Sequence, residues 1–341
     1  MVLTGPGGRR SVRFDRRVAA TVLVLGLTTA VLAVVGVGLG DYPLTPGEVI
    51  ATLADRTDER ARLIVVGMRL PRVLVAIMVG ASLGMAGAVF QSLARNPLAS
   101  PDIIGFGNGA ATGAVVTILL LSGSMLRVAI GAMAGGLVTA MTVYLLAYKR
   151  GVQGFRLVLV GIGISSMLVS VNSWLLVRAE LHEAQIARIW LLGSLNGRGW
   201  DHATAVFLGM VVLVPLLLAM TRPMKMLEMG DDMASGLGIR PELTRGGLLL
   251  AATALTGLAT AVAGPISFIA LAAPQLARRL TRSAGVAVGA AGAMGAALLT
   301  AADLAAQHAF ATQLPVGVMT VSVGGAYLIW LLARERKAGR G

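Results

Sequence analysis

Cysteine is absent from the chain. That excludes disulfides and thiolate metal sites. Histidine is nearly absent too: His182, His202 and His308 are scattered along the sequence, so no histidine metal centre is expected. No segment reads G-x-x-x-x-G-K-[ST], so the chain has no phosphate-cradling loop of its own. Nothing pairs a nucleophile with a base, so no catalytic residues are assigned. Charged residues make up 13% of the chain and aromatics 4%. Acids are almost missing from the apolar runs, with Asp303 the exception. An ion-coupled carrier ordinarily needs more intramembrane acids than that.

What remains is oil. Of 341 residues, 56% are apolar, and runs of span length recur from end to end. The net charge of +13 has few aromatics beside it, and the basic residues sit at span ends. Membrane topology therefore explains the charge, and no nucleic-acid partner is expected. Ten spans are expected, near 18–39, 68–93, 102–121, 126–147, 156–178, 201–220, 244–263, 265–281, 286–306 and 315–333. A basic tail (1–17) precedes them and a second tail (334–341) follows. The first apolar run is longer than a signal peptide needs, so it reads as a retained span. With the N-terminus inside, 20 of the 29 lysines and arginines fall on the cytoplasmic side. Nine fall outside: Arg56, Arg60, Arg62, Arg69, Arg72, Arg127, Arg178, Arg188 and Arg198. The bias supports ten spans of an inner-membrane protein with both termini in the cytoplasm. Small-residue stretches at Gly80–Gly84 and Gly131–Gly135 are expected to bring helix backbones close together.

The loop 221–245 is the polar island of the chain. It carries the adjacent pair Asp231-Asp232, then helix formers, then Gly238. Acids at a helix start suit its exposed N–H groups and dipole, and a glycine in the left-handed region ends it. The expectation is a short cytoplasmic helix capped by Asp231 and Asp232. Met233, Ala234 and Leu237 are expected to present the contact for a soluble motor. On the other side, Pro71 holds Arg69 and Arg72 at a rim, where they either meet a partner's carboxylates or anchor headgroups. Asp303 marks a pathway or finds a hydrogen-bond partner near the interface. Asn172, Ser194, Asn196 and Gln307 are candidates for the path beside it. The prolines of Arg95–Asp102 make a tight inner turn, and Gly264-Pro265-Ile266-Ser267-Phe268 breaks the backbone. Broken backbone at membrane depth is tolerated where it lines a cavity.

Four segments in order resemble the FecCD-type permease family. They are RLPRVLVAIMVGASLGMAGAVFQSLARNPLASPDIIGFGNGA (69–110), LEMGDDMASGLGI (227–239), AGPISFIALAAPQLARRL (263–280) and QLPVGVMTVSVGGAYLIWLL (313–332). NSWLLV, GSLNGRGW and AADLAAQ look like the ferric-enterobactin subgroup of heterodimeric type. The resemblance implies an all-α polytopic fold of about ten transmembrane helices, the BtuC-like type II importer permease fold. It implies a subunit of an ATP-driven, binding-protein-dependent importer of a catecholate, enterobactin-like ferric siderophore, working by alternating access. The implied partners are a second, homologous permease in a heterodimer, two ATPase subunits that bind ATP and magnesium, and a siderophore-binding protein. This chain itself would hold no cofactor. The coupling helix of the family matches Asp231 to Gly238, and the arginines that receive the binding protein match Arg69 and Arg72. The family often has histidine where this chain has Gln275, and a rim arginine of the cobalamin relative falls on Gln307. Rival readings are a haem or cobalamin importer of the same family, an ion-coupled secondary transporter and a membrane scaffold.

Overall fold

The computed structural model describes residues 2–4, 11–13, 15–40, 42–54, 58–102, 104–121, 124–148, 154–283, 285, 287–310 and 312–338. Arg9, Arg10, Arg56, Lys149, Arg150 and Arg340, used in the charge count, lie outside them. A short antiparallel ribbon pairs Val2–Thr4 with Ser11–Arg13, a departure from a purely helical chain. Among the described residues everything else regular is helix, apart from a single bridge position at Tyr148. The order is α1 (Arg16–Gly38), α2 (Pro46–Leu53), α3 (Glu59–Arg62), a π-helical stretch (Leu63–Arg69), α4 (Leu70–Ala94), α5 (Phe106–Leu121), α6 (Met125–Ala147) and α7 (Gly154–Arg178). There follow α8 (Leu181–Leu191), α9 (Trp200–Ala219), α10 (Thr221–Glu228), α11 (Asp231–Gly236), α12 (Pro241–Ala263), α13 (Ile269–Thr281), α14 (Val288–His308) and α15 (Val316–Ala338).

The ten expected spans correspond to α1, α4, α5, α6, α7, α9, α12, α13, α14 and α15. Among the described residues, seven helical stretches are long and apolar enough to cross a bilayer unaided. The apolar parts of α5 and α15 are shorter, and α13 is shorter still. At 1.5 Å per residue its 13 residues reach about 20 Å, less than a bilayer's hydrocarbon core. Successive spans alternate in direction. The face where α1 begins is called the N-terminal face below. The start of α4 lies at the opposite face, because Arg69 Nη1 donates to Val37 O at the end of α1 (2.8 Å).

The small α2 was not expected. Its signal was Thr45-Pro46-x-Glu48, a capping box in which Thr45 and Glu48 satisfy each other's backbone N–H groups. The Thr45 backbone N–H, and then its hydroxyl, hold the Glu48 carboxyl below its ordinary pKa. The outer helix α8 was also missed.

The helices are brought together by glycine. Added Cβ atoms at Gly80 and Gly84 of α4 would run into the carbonyls of Gly295 and Ala291 in α14. In the same way Gly113 of α5 meets Gly131 of α6, and Gly135 meets Gly109. In lipid, where the hydrophobic drive is absent, such backbone approach supplies the packing attraction. Gly84→Ala is therefore expected to cost about 1–3 kcal/mol by overpacking. Gly26 in α1 has open space around it and serves as the control. Thermal melts in detergent check this: the midpoint falls for Gly84→Ala and not for Gly26→Ala.

Candidate functional site

The N-terminal face carries α10 and α11. Gly230, at φ +113°, turns the chain between them and is the N-cap of α11. Asp231 and Asp232 lie in its first turn, where the helix dipole favours them. No side chain caps this helix, so the expected capping role is corrected. Instead the Asp231 carboxylate is turned back toward the membrane domain. It accepts from Arg245 Nη2 at 2.6 Å and Nη1 at 3.0 Å, with Arg95 Nη2 at 4.0 Å. Arg95 also donates to Leu227 O (2.9 Å), and Ser92 Oγ donates to Glu228 (2.6 Å). The loop is thus tied to both α4 and α12. A planar guanidinium on a carboxylate fixes orientation as well as distance.

Ala234 is completely buried, in a cluster with Met224, Leu227 and Leu248. It faces the protein, which corrects its expected place in an outward contact. Met233 and Leu237 point outward, 62% and 56% exposed, and Met229 joins them. Asp232 is exposed. Gly238 ends the helix at φ +82°, as expected. The preceding α10 was not foreseen. Its signal was Pro223 in a first turn, followed by Met224 and Leu227 three apart, both now buried.

At the opposite face the two rim arginines are already engaged. Arg69 donates to the carbonyls of Val37, Gly38 and Tyr42. Arg72 makes a two-pronged pair with Asp303: Nε to Oδ2 at 3.0 Å and Nη2 to Oδ1 at 2.8 Å. Asp303 is 2% exposed and also accepts from Gln307 Nε2 (2.8 Å). Of the two outcomes expected for Asp303, the hydrogen-bond partner is found: Arg72, with Gln307 beside it. They are a polar rivet between α4 and α14, because a buried carboxylate needs donors around it. In the nearby loop, burial draws the pKa of Arg198 below its ordinary value.

Between the faces lies a cleft of about 510 Å³, lined by Asn108, Asn172, Leu192, Pro265, Ser267, Gly317, Val318 and Ser322, among others. The broken segment Gly264–Phe268 lines it, as the tolerance for irregular backbone at depth requires. Gly264 (φ +73°) and Phe268 (φ +69°) make the break. Ser194 N–H donates to Ala263 O (2.8 Å), and Gly317 N–H to Gly193 O (3.1 Å), so neighbouring loops support it. Asn172 is placed in the cleft, 7% exposed, and its Oδ1 has no partner. Ser194 and Asn196 are not in the lining. They form a local turn, with Asn196 N–H donating to Ser194 Oγ (3.1 Å). Asn108 was missed; its amide donates to Ser165 Oγ. Gln275, at the family's histidine position, donates to Pro97 O (2.7 Å) and braces the inner turn.

A membrane domain with a braced helix pair at one face and a cleft at depth narrows the choice. Residues 27–334 match the FecCD transport family. The chain belongs to that family. It is a transport permease and not an enzyme. A FecCD relative, the ferric enterobactin transport system permease protein FepG of Escherichia coli K12, is 45% identical over 95% of this chain and 98% of its own length. A probable siderophore transport system permease protein of Bacillus subtilis, YfhA, is 37% identical over 93% and 94%. The fold is that of a solved metal-chelate type ABC transporter in an inward-facing conformation. Its TM-score is 0.82 at 24% identity, covering 93% of this FecCD chain and 99% of the other.

Proposed function

We propose that this chain is the membrane permease of an ATP-driven, binding-protein-dependent importer of a ferric siderophore of the catecholate type. The observation that carries the reading is the N-terminal face. There a short helix clamped to α4 and α12 presents Met229, Met233 and Leu237 outward, in a chain with no phosphate loop of its own. Such a surface suits an external motor. The N-terminal face is then cytoplasmic, both termini lie there, and two ATPase subunits with ATP and magnesium dock beneath. The full-length likeness to the enterobactin permease supports the cargo.

A second permease, homologous to this one in a heterodimer, would cover the exposed sides of α7 and α15. These carry Ser166, Ser170, Ser173 and Ser322, unusual on a lipid-facing surface and suited to a polar path. Asn172 and Asn108 face the same side through the cleft. Their neutral polar groups can pass a chelate whole, because none holds iron tightly. The binding protein docks on the opposite face. Arg69, held by the carbonyls of Val37, Gly38 and Tyr42, would exchange those bonds for carboxylates of the binding protein, while Arg72 serves the rivet with Asp303.

Reconstitution in vesicles tests this reading. Uptake of a ferric catecholate is expected with both permeases, the ATPase and the binding protein, and none with this chain alone. Haem or cobalamin carried in preference would replace the cargo. Uptake by this chain alone, collapsed by an uncoupler, would replace the class.

A further inference from the structure

At the N-terminal face a polar cleft of about 350 Å³ lies between the ends of α4, α10 and α13. Ser92, Arg95, Asn96, Glu228, Arg278 and Gly285 are in its walls. The cleft adjoins α11. Glu228 immediately precedes Met229, whose side chain is exposed like those of Met233 and Leu237. A partner seated on those apolar side chains covers the cleft as well.

Two of the three charges in this cleft are already engaged. Glu228 accepts from Ser92 Oγ (2.6 Å). Arg95 donates to Leu227 O (2.9 Å) and stands 4.0 Å from Asp231. Arg278 differs. With Arg279 it lies in the last turn of α13, where a cation suits the helix end. Arg279 is exposed, whereas Arg278 is half-buried and lines the cleft. Among the described residues the Arg278 guanidinium has no hydrogen bond and no ion pair, not even with Glu228 in the same walls. A guanidinium carries five N–H donors, and partial burial strips water from them without supplying an acceptor.

The acceptor that is missing here arrives with the motor. We propose that the cleft receives an aspartate or glutamate side chain of the ATPase subunit, whose carboxylate pairs with Arg278 when that subunit seats on α11. The inference rests on the functional reading above and adds a charged socket to its apolar contact. A guanidinium takes a carboxylate two-pronged, which fixes the angle of docking as well as its place. Arg95 and Arg278 set against Glu228 leave one positive charge in the cleft, which a single carboxylate balances. A phosphate dianion would exceed that charge and be repelled by Glu228. Arg279 and Arg282 are exposed at the same end of α13, so the surrounding face also complements an acidic partner.

The test measures binding of the purified ATPase subunit to the permease pair in nanodiscs across a salt series. Arg278→Gln is expected to weaken binding roughly tenfold at low salt, the loss of one hydrogen bond to a charged group. It should also flatten the salt dependence, with an unchanged melting midpoint because no bond within the chain is lost. A carbodiimide joins an amine directly to a carboxylate. In the assembled importer carrying Arg278→Lys, it should link position 278 to an aspartate or glutamate of the ATPase. Unchanged affinity and salt slope in Arg278→Gln, or a link from position 278 to Glu228 alone, overturns the proposal. So does competition by inorganic phosphate that Arg278→Gln abolishes, which would make the cleft a site for a free anion. A parent permease that binds no ATPase overturns the functional reading, and this inference with it. Where Arg278→Gln does not fold, the carbodiimide link decides alone.

Discussion

Asp303→Ala is expected to unfold much of the protein population at temperatures the parent survives. The substitution leaves the Arg72 guanidinium, 15% exposed in its side chain, with no carboxylate. Breaking a buried ion pair from one side costs about 3–5 kcal/mol, because the remaining charge stays desolvated. Replacing both partners with apolar residues, Arg72→Met with Asp303→Leu, should restore most of the melting midpoint. That recovery separates a rivet from a pathway acid. If Asp303 acted on the cargo, the stable double variant would still fail in uptake. Here its uptake should follow the amount of folded protein. A melting curve and an uptake rate on the two variants check both halves.

The second large effect is expected at the coupling face. Arg245→Glu gathers three carboxylates, with Asp231 and Glu242, where one guanidinium now bridges two. α11 should swing free of α12, since Asp231 is its charged tie to the membrane domain. ATP turnover should persist while uptake falls by tenfold or more, about 1.4 kcal/mol or more of lost coupling. The exchanged pair, Asp231→Arg with Arg245→Asp, should recover a large part of it, the signature of direct interaction in a double-mutant cycle. A variant that keeps full uptake with Arg245→Glu would show that the clamp transmits nothing. A push on an exposed helix moves the spans only where a stiff link joins them.

Much of this was legible in the chain. A helix stands at each of the ten expected spans, and among the described residues seven are long and apolar enough to cross a bilayer; these were visible because a span must be apolar for its whole length and charge must fall at its ends. The close approach at Gly80 and Gly84 was visible as small-residue spacing, but its partner α14 was not. Side-chain direction was not. Ala234 and Met233 are adjacent on a six-residue helix, and composition cannot say which faces the protein; burial beside Met224 and Leu227 decides it. Arg72 and Asp303 are 231 residues apart, so their pairing belongs to the tertiary fold. Lone charges near span ends read as functional until a partner is found. The outer helices α2 and α8 are amphipathic and short, and a search for long apolar runs passes over them. The break before α13 was visible as Gly264-Pro265, but its lining role depends on the neighbouring loops.

The central claim is that α11 offers one outward face to a motor and holds the other against the membrane domain. The native chain has no cysteine, so single cysteines can be read without background. Cysteines placed at Met233, Leu237 and Ala234 in the assembled importer, treated with a short bifunctional crosslinker, test it directly. The account predicts crosslinks to the ATPase from positions 233 and 237 and none from 234. No crosslink from 233 or 237 in an actively transporting complex, or an equal one from 234, would contradict it.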